Sequence, residues 1–262
     1  MTEDRADSVR VAQVRVCPVK GDLAANASSL MAALDRISTH RPDVVVTPEC
    51  FLDGYVATKK CVTAQTLAQY AIDPARSEYG ASIAGWARAN RSWVVFGCCR
   101  LSDKGVHNSA VIYDRDGMIT GMYDKVHCQT HDRKFLSGGS LPVYQSDFGR
   151  FGVMICADRR WPETVRTLAL GGARVIFNPT YGMHNAANLR MMRTRSYESE
   201  VFIVFTHPGQ SLVTGPRGEV ILNERSREAA FSVCEIDLSE VERVRTSEKA
   251  HLRDRRPEVY RI

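Results

Sequence analysis

The chain has 262 residues, 44% of them hydrophobic and 25% charged, with a formal net charge of +5. That composition fits a globular protein with a sizeable core, and scattered arginines partly matched by acids argue for a solvated face and against a nucleic-acid footprint. No run of about 18 apolar residues exists, so no membrane span is expected. With no Pro/Gly/Ser-rich or highly charged linker, a single domain over 1–262 is expected, with 1–8 and 245–262 as peripheral tails. Met1 to Arg10 is polar and lacks a signal-peptide pattern, which implies a cytosolic protein. The eight cysteines then read as reduced thiols. No C-x-x-C pair occurs, and His127, Cys128 and His131 lack paired ligand spacing, so no metal site is expected.

In chain order, Val9 to Val16 alternates apolar and polar residues as a half-buried strand does. Asp22 caps a helix whose apolar positions Leu23, Ala27, Leu30, Met31, Leu34 and Ile37 keep helical spacing. Asp43 to Thr47 is a buried-type strand stopped by Pro48, with Glu49 immediately after it. Thr58 to Pro74 has no legible period. Ser77 to Asn90 reads as a helix and Trp93 to Gly97 as a strand; Ser109–Tyr113 and Met118–Tyr123 form a hairpin about Asp114-Arg115-Asp116-Gly117. That hairpin delivers Lys125. Gly149 to Glu163 starts as a strand and ends as a helix running to Leu170, with Cys156 at the bend. Beyond it come a strand at Arg174–Pro179, a helix at Ala186–Glu200, and strands at Val201–Thr206, Glu219–Leu222 and Phe231–Ile236. Hairpins among the strands argue against a purely doubly wound sheet.

Each notable residue has an ordinary reading when taken alone. Cysteine at the end of an apolar strand is usually a small core hydrophobe, a glutamate at a strand exit a surface carboxylate, and a lysine there a solvated cation. What lifts them is a shared position: Glu49, Lys125 and Cys156 each stand just beyond the C-terminal end of an apolar strand, the edge where sites collect in layered α/β folds. A nucleophile, a base and a cation converging there point to acyl transfer through a thioester. Glu49 would take the thiol proton and later activate water, while Lys125 would lower the thiol pKa from about 8.5 and bind the oxyanion. The backbone N–H of Ala157 would complete the oxyanion hole.

At these residues the sequence resembles the nitrilase superfamily of carbon–nitrogen hydrolases. Thr47-Pro48-Glu49 with Gly54-Tyr55, Tyr123-Asp124-Lys125-Val126-His127, and Cys156-Ala157-Asp158-Arg159-Arg160-Trp161-Pro162-Glu163 match that family's three motifs in order. The resemblance implies a four-layer α-β-β-α sandwich, a Glu49-Lys125-Cys156 triad, a homodimer paired through the outer helices, and no metal or organic cofactor. The family's second glutamate is replaced by Asp132, seven residues before Gly139. A carboxylate one methylene short is either compensated by the backbone or leaves a weaker enzyme. Ala157-Asp158 looks more like the amide- and carbamoyl-cleaving branches than like nitrilases. By the likeness to N-carbamoyl-amino-acid amidohydrolases, Arg159 or Arg160 would clamp a substrate carboxylate and His127 would line the pocket, along with loops carrying Tyr55 and Tyr181. The competing expectation for the arginines is an exposed ion pair with Glu163 or Glu198. The expected function is hydrolysis of a small amide or N-carbamoyl compound with release of ammonia. Hydrolysis of a nitrile, a non-catalytic dimeric interaction module, and a thiol-redox protein are the alternatives.

Overall fold

A computed structural model describes residues 7–225 and 230–260. The elements run β1 (Ser8–Val14), α1 (Leu23–Ser38), β2 (Val44–Val46), α2 (Ala64–Leu67), α3 (Glu78–Asn90), β3 (Trp93–Ser102), β4 (Gly105–Tyr113), β5 (Ile119–Asp124), β6 (Val143–Ser146), β7 (Gly149–Val153), α4 (Pro162–Leu170), β8 (Val175–Pro179), α5 (Ala186–Ser199), β9 (Phe202–His207), β10 (Gln210–Thr214), β11 (Val220–Glu224), β12 (Phe231–Asp237) and α6 (Ser239–Arg245). They build two six-stranded sheets, ordered β12-β1-β2-β3-β4-β5 and β11-β10-β9-β8-β7-β6. In each, three parallel strands form the middle, β1-β2-β3 and β7-β8-β9, and antiparallel neighbours flank them.

Alternation along the strands decides the layers. In β1, Val9 and Val11 face the other sheet, whereas Ala12 and Val14 face the helices. Val46 and Val95 meet Phe151, Val153 and Phe177 in the core between the sheets. Leu30, Leu34 and Ile37 of α1 and Ile83 and Trp86 of α3 cover the outer face of the first sheet. Val165 and Leu168 of α4 and Met192 of α5 cover that of the second. The result is the four-layer α-β-β-α sandwich that the resemblance implied. Gln13, fully buried on the inter-sheet face of β1, donates to Phe205 O at 2.7 Å and Thr206 Oγ1 at 3.0 Å. A buried amide must be bonded, so this contact fixes the facing sheets relative to one another.

Several boundaries differ from the sequence reading. β1 runs Ser8–Val14, and beyond it Arg15 N bonds Ala230 O at 2.6 Å, in register with the ladder to β12. β6, β10 and α6 are additional elements. The polar letters of VYQS and QSLVT hide the two strands, and α6 buries only Val241, so its apolar period is too short to register. In the illegible 58–74 stretch lies the four-residue α2, held by a Thr63/Thr66 capping box. Among the described residues no helix is long and apolar enough to cross a membrane.

The chain directions put the C-terminal ends of β2, β5, β7 and β8 on one edge. β5 is antiparallel to β4 and β4 to β3, so β5 runs with β2. Gly97 of β3 makes room there for the chain leaving β2. A Cβ on it would lie 2.2 Å from Pro48 O and 3.2 Å from Glu49 Cα. We therefore expect Gly97→Ala to lower the urea unfolding free energy by about 1–3 kcal/mol through overpacking against backbone. Gly85→Ala, on α3 with nothing within 4 Å of the new methyl group, should leave stability equal or higher. Equal stability of the two variants would refute the close approach at Gly97.

Candidate active site

Glu49 leaves β2 through Pro48 and ends fully buried, a position a carboxylate tolerates only with partners. Its Oε1 accepts from Lys125 Nζ at 2.7 Å and Asn108 Nδ2 at 2.9 Å, and its Oε2 from Tyr181 N at 3.1 Å. The loop behind it is held by Asp53. That buried carboxylate accepts from Val56 N at 3.0 Å and Cys99 N at 3.1 Å, and burial pushes its pKa up to about 6. The thiols of Cys50 and Cys99 lie against Asp53, with ligand atoms within 4.8 Å of one another. Sequence spacing did not reveal this cluster, because Cys50 and Cys99 come from different elements. Burial raises both thiols, to about 12 for Cys99, so they are protonated and serve as donors at neutral pH.

Lys125 follows the last residue of β5, Asp124, whose carboxylate is gripped by Arg100 Nε and Nη2 at 3.1 and 2.7 Å. The Lys125 backbone is clasped on both sides, its N–H by Asn108 O at 2.9 Å and its C=O by Gly138 N at 2.8 Å. Its buried ammonium donates to Asp132 Oδ2 at 2.5 Å as well as to Glu49. Burial alone would lower the lysine pKa. The negative charges of Glu49 and Asp132, and of Cys156 when it is ionised, outweigh it and hold the pKa well above the ordinary value. Asp132 moves up, through burial and the charge of Glu49, against the pull of Lys125. Its other oxygen accepts from Tyr55 Oη at 2.6 Å, and His131 Nε2 lies 3.1 Å from that hydroxyl. The shorter acid thus reaches the lysine directly, from the 3-10 turn Thr130–Lys134.

Cys156 opens a second 3-10 turn, Cys156–Arg160, between β7 and α4. Its φ of +46° is a strained value for a residue with a side chain, and such strain persists only where the surroundings over-determine it. Asp158 supplies that constraint. Fully buried, it accepts from Ile155 N at 2.8 Å, Tyr123 Oη at 2.7 Å, His127 N at 3.0 Å and His127 Nδ1 at 2.8 Å, tying the bend to the lysine segment. The His127 ring stacks on Trp161 at 4.0 Å and is half-buried. Ala157 N lies in the first turn of a short helix, where backbone N–H groups lack intrahelical acceptors. Tyr181 sits after β8 with its ring edge-on to Tyr55 at 5.4 Å.

The structure places the two arginines apart. Arg159 is buried and spends its guanidinium inside the protein, on Cys156 O, Asn188 Oδ1 at 2.7 Å and Met183 O at 2.8 Å. Such a group is an internal brace for the bend. Arg160 points outward to Gln129 Oε1 at 3.0 Å, and it is Arg195 that pairs with Glu198. Adjacent residues on a 3-10 turn face different ways, so the pair cannot act as one clamp. The thiol also departs from expectation. Burial and the charge of Glu49 raise the Cys156 pKa, and Lys125 and Arg159 offset this only in part. At rest Cys156 is therefore a thiol and not a thiolate.

The carbon-nitrogen hydrolase family model matches residues 9–246. The chain belongs to that family. This carbon–nitrogen hydrolase is 31% identical over 265 residues to a nitrilase of Pyrococcus abyssi, an alignment that covers 96% of this chain and 99% of the relative. It is 28% identical over 193 residues to the N-carbamoylputrescine amidase of Solanum lycopersicum, covering 60% and 63% of the two chains. Its fold matches that of a Saccharomyces cerevisiae member of branch 10 of the nitrilase superfamily, with a TM-score of 0.80, 22% identity and coverage of 93% and 95%. An amidase from Nesterenkonia sp. superposes with a TM-score of 0.76 and 21% identity, covering 98% and 97%.

Two parts of this hydrolase's site escaped the sequence reading. Asn108 lies in mid-strand on β4, and its signal is a polar residue inside an otherwise apolar buried run. The Tyr181 N–H contact leaves no trace in side-chain letters. Because the charge of Glu49 raises the Cys156 thiol, Glu49→Gln should lower that pKa. Peptide-resolved mass spectrometry should then find Cys156 alkylated faster by iodoacetamide at pH 8 in the variant than in the wild type. Slower alkylation would contradict the electrostatic account.

Proposed function

We propose that the protein hydrolyses a small primary amide or N-carbamoyl compound through a thioester on Cys156, with Glu49 as general base, Lys125 as oxyanion donor and Asp132 as a second acceptor. The observation that carries this reading is the buried ammonium of Lys125 bridging the Glu49 and Asp132 carboxylates beside the bend at Cys156. Glu49 takes the S–H proton as sulfur attacks the carbonyl carbon, and the negative charge that develops on oxygen is met by Lys125 Nζ and Ala157 N–H. On collapse the C–N bond breaks and Glu49 returns the proton to the departing nitrogen, releasing ammonia. Water oxygen then adds to the thioester carbonyl carbon as Glu49 removes its proton, the C–S bond breaks, and the departing thiolate regains that proton as the acid leaves. Asn108 and Tyr181 N–H aim the Glu49 carboxylate throughout, and Tyr55 aims Asp132.

Two carboxylates at one thiol favour an amide over a nitrile as substrate. A –NH2 group has two N–H donors to place, which Glu49 and Asp132 can accept, whereas a nitrile has none. Nitrile hydrolysis stays as the second reading because the Pyrococcus abyssi relative, similar over 96% of this chain, is named a nitrilase. The same proposal takes the protein to be cytosolic and to form a homodimer through its outer helices, where Tyr197 of α5 leaves 51% of its surface exposed.

An ammonia-release assay on a panel of primary amides, N-carbamoyl compounds and nitriles tests the reading. We expect turnover of amides or carbamoyl compounds above nitriles, and none by Cys156→Ala. Asp132→Asn should reduce kcat/KM by roughly a hundredfold, since it disturbs placement at the lysine. Wild-type ammonia release equal to that of Cys156→Ala across the panel would overturn the proposal; an unchanged kcat/KM in Asp132→Asn would remove the role of that residue.

A further inference from the structure

Asp132 has two acceptor oxygens, and only Oδ2 bonds the ammonium of Lys125. Its Oδ1 accepts from Tyr55 Oη at 2.6 Å, and that hydroxyl has His131 Nε2 at 3.1 Å on its other side. The His131 ring meets the Tyr55 ring edge-on at 5.1 Å, and its Nδ1 lies 3.3 Å from Thr130 Oγ1. Tyr55 is buried, whereas the His131 side chain leaves 39% of its surface exposed. The steps proposed above use Tyr55 and Asp132 but give His131 no task.

The direction of these bonds follows from charge. The surrounding acids keep Lys125 an ammonium, and it donates to Asp132 Oδ2 at 2.5 Å, so Asp132 is an acceptor. Tyr55 keeps its proton, because burial and the charges of Glu49 and Asp132 raise the phenol pKa well above the ordinary value. A phenol has one proton. Spent on Asp132, it leaves the Tyr55 oxygen to accept, and His131 must supply the N–H from Nε2. Neutral His131 then has Nδ1 as its acceptor, facing the Thr130 hydroxyl. The result is a chain of donors, Thr130 to His131 to Tyr55, that ends on the Asp132 carboxylate. The backbone keeps that chain in line. Tyr55 has a φ of +55°, a conformation rare for a bulky residue and kept only where neighbours enforce it. Its N–H donates to Cys50 O at 3.0 Å, and its ring is wedged between those of Tyr181 and His131. The turn carrying His131 is clamped to the same loop, where Lys134 Nζ donates to Ala57 O at 2.7 Å and Lys59 O at 3.0 Å.

We propose that His131 is a positioning residue for Asp132: its Nε2–H locks the Tyr55 hydroxyl toward the carboxylate and so keeps Asp132 aimed at Lys125, ready to accept a substrate N–H. Bonds in such a chain polarise one another, so the outer donor strengthens the inner one. Among the described residues no group other than Asp132 and His131 bonds that hydroxyl. Without the histidine N–H, nothing on the outer side of Tyr55 Oη holds the O–H on Asp132. This inference deepens the amidohydrolase reading above and rests on it for its kinetic part, but the bond itself is read without turnover.

The first experiment is proton–nitrogen correlation NMR of the resting protein carrying isotope-labelled histidine, with His131 assigned by the loss of its signal in His131→Gln. We expect a His131 Nε2–H proton that exchanges slowly with water at pH 8 and is lost in Tyr55→Phe. The second is a cycle of kcat/KM values on a primary amide, with folding checked by circular dichroism. His131→Leu should lower kcat/KM about fivefold, the size of one net hydrogen bond. His131→Gln, whose amide can present an N–H near the same point, should stay within about twofold of the wild type. In the Tyr55→Phe background, His131→Leu should change kcat/KM by less than about twofold, because the oxygen that links it to Asp132 is gone. A His131 that carries its proton on Nδ1, or an Nε2–H signal that persists in Tyr55→Phe, overturns the chain. So does a His131→Gln variant as slow as His131→Leu, or a His131→Leu loss that is equal with and without the Tyr55 hydroxyl. A protected Nε2–H lost with Tyr55, in a protein that hydrolyses no amide, would uphold the chain and overturn the hydrolase reading instead.

Discussion

One ammonium holds the centre of this protein together. Lys125 is buried with the carboxylates of Glu49 and Asp132 against it, at 2.7 and 2.5 Å. Removing one member of such a buried group leaves an uncompensated charge, which costs about 3–5 kcal/mol. Much of the surrounding fold serves to bring these three groups to one point. Arg100 and Gly138 fix the lysine backbone, the Asp53 cluster fixes the loop behind Glu49, and Tyr55 turns Asp132 inward. Gly97 lets the glutamate loop lie flat on the sheet, where any side chain would push it away.

The thiol is placed by a different device. Cys156 sits in a left-handed bend whose strain is borne by Asp158 and Arg159, both buried and both bonded to backbone on either side. Of the two, Arg159 looks like a substrate ligand in the sequence, because charged groups next to a nucleophile commonly are. In the fold they are structural braces. Burial and the charge of Glu49 leave the thiol protonated at rest, with Lys125 and Arg159 offsetting this only in part.

What was legible in the sequence follows from what side-chain letters encode. Glu49, Lys125 and Cys156 could be placed because each ends an apolar strand, and the parallel order of those strands brings their ends to one edge. The four layers followed from the family resemblance, and alternation in β1 and helical spacing in α1 agree with it. Asn108 and the Tyr181 N–H were not legible, since one is hidden in a strand that reads as core and the other is backbone. Asp132 was placed by the family resemblance, and the fold shows that its partner is Lys125.

The central claim is that the buried charge group exists to make Cys156 a transient acyl carrier. Rapid-quench intact-protein mass spectrometry during turnover of a primary amide tests this most directly. The account predicts an adduct with the mass of the acyl group, substrate less ammonia, that maps to Cys156 and decays as the acid product appears. Hydrolysis that proceeds with no adduct on Cys156 at any quench time, or with an adduct on another residue, would contradict it.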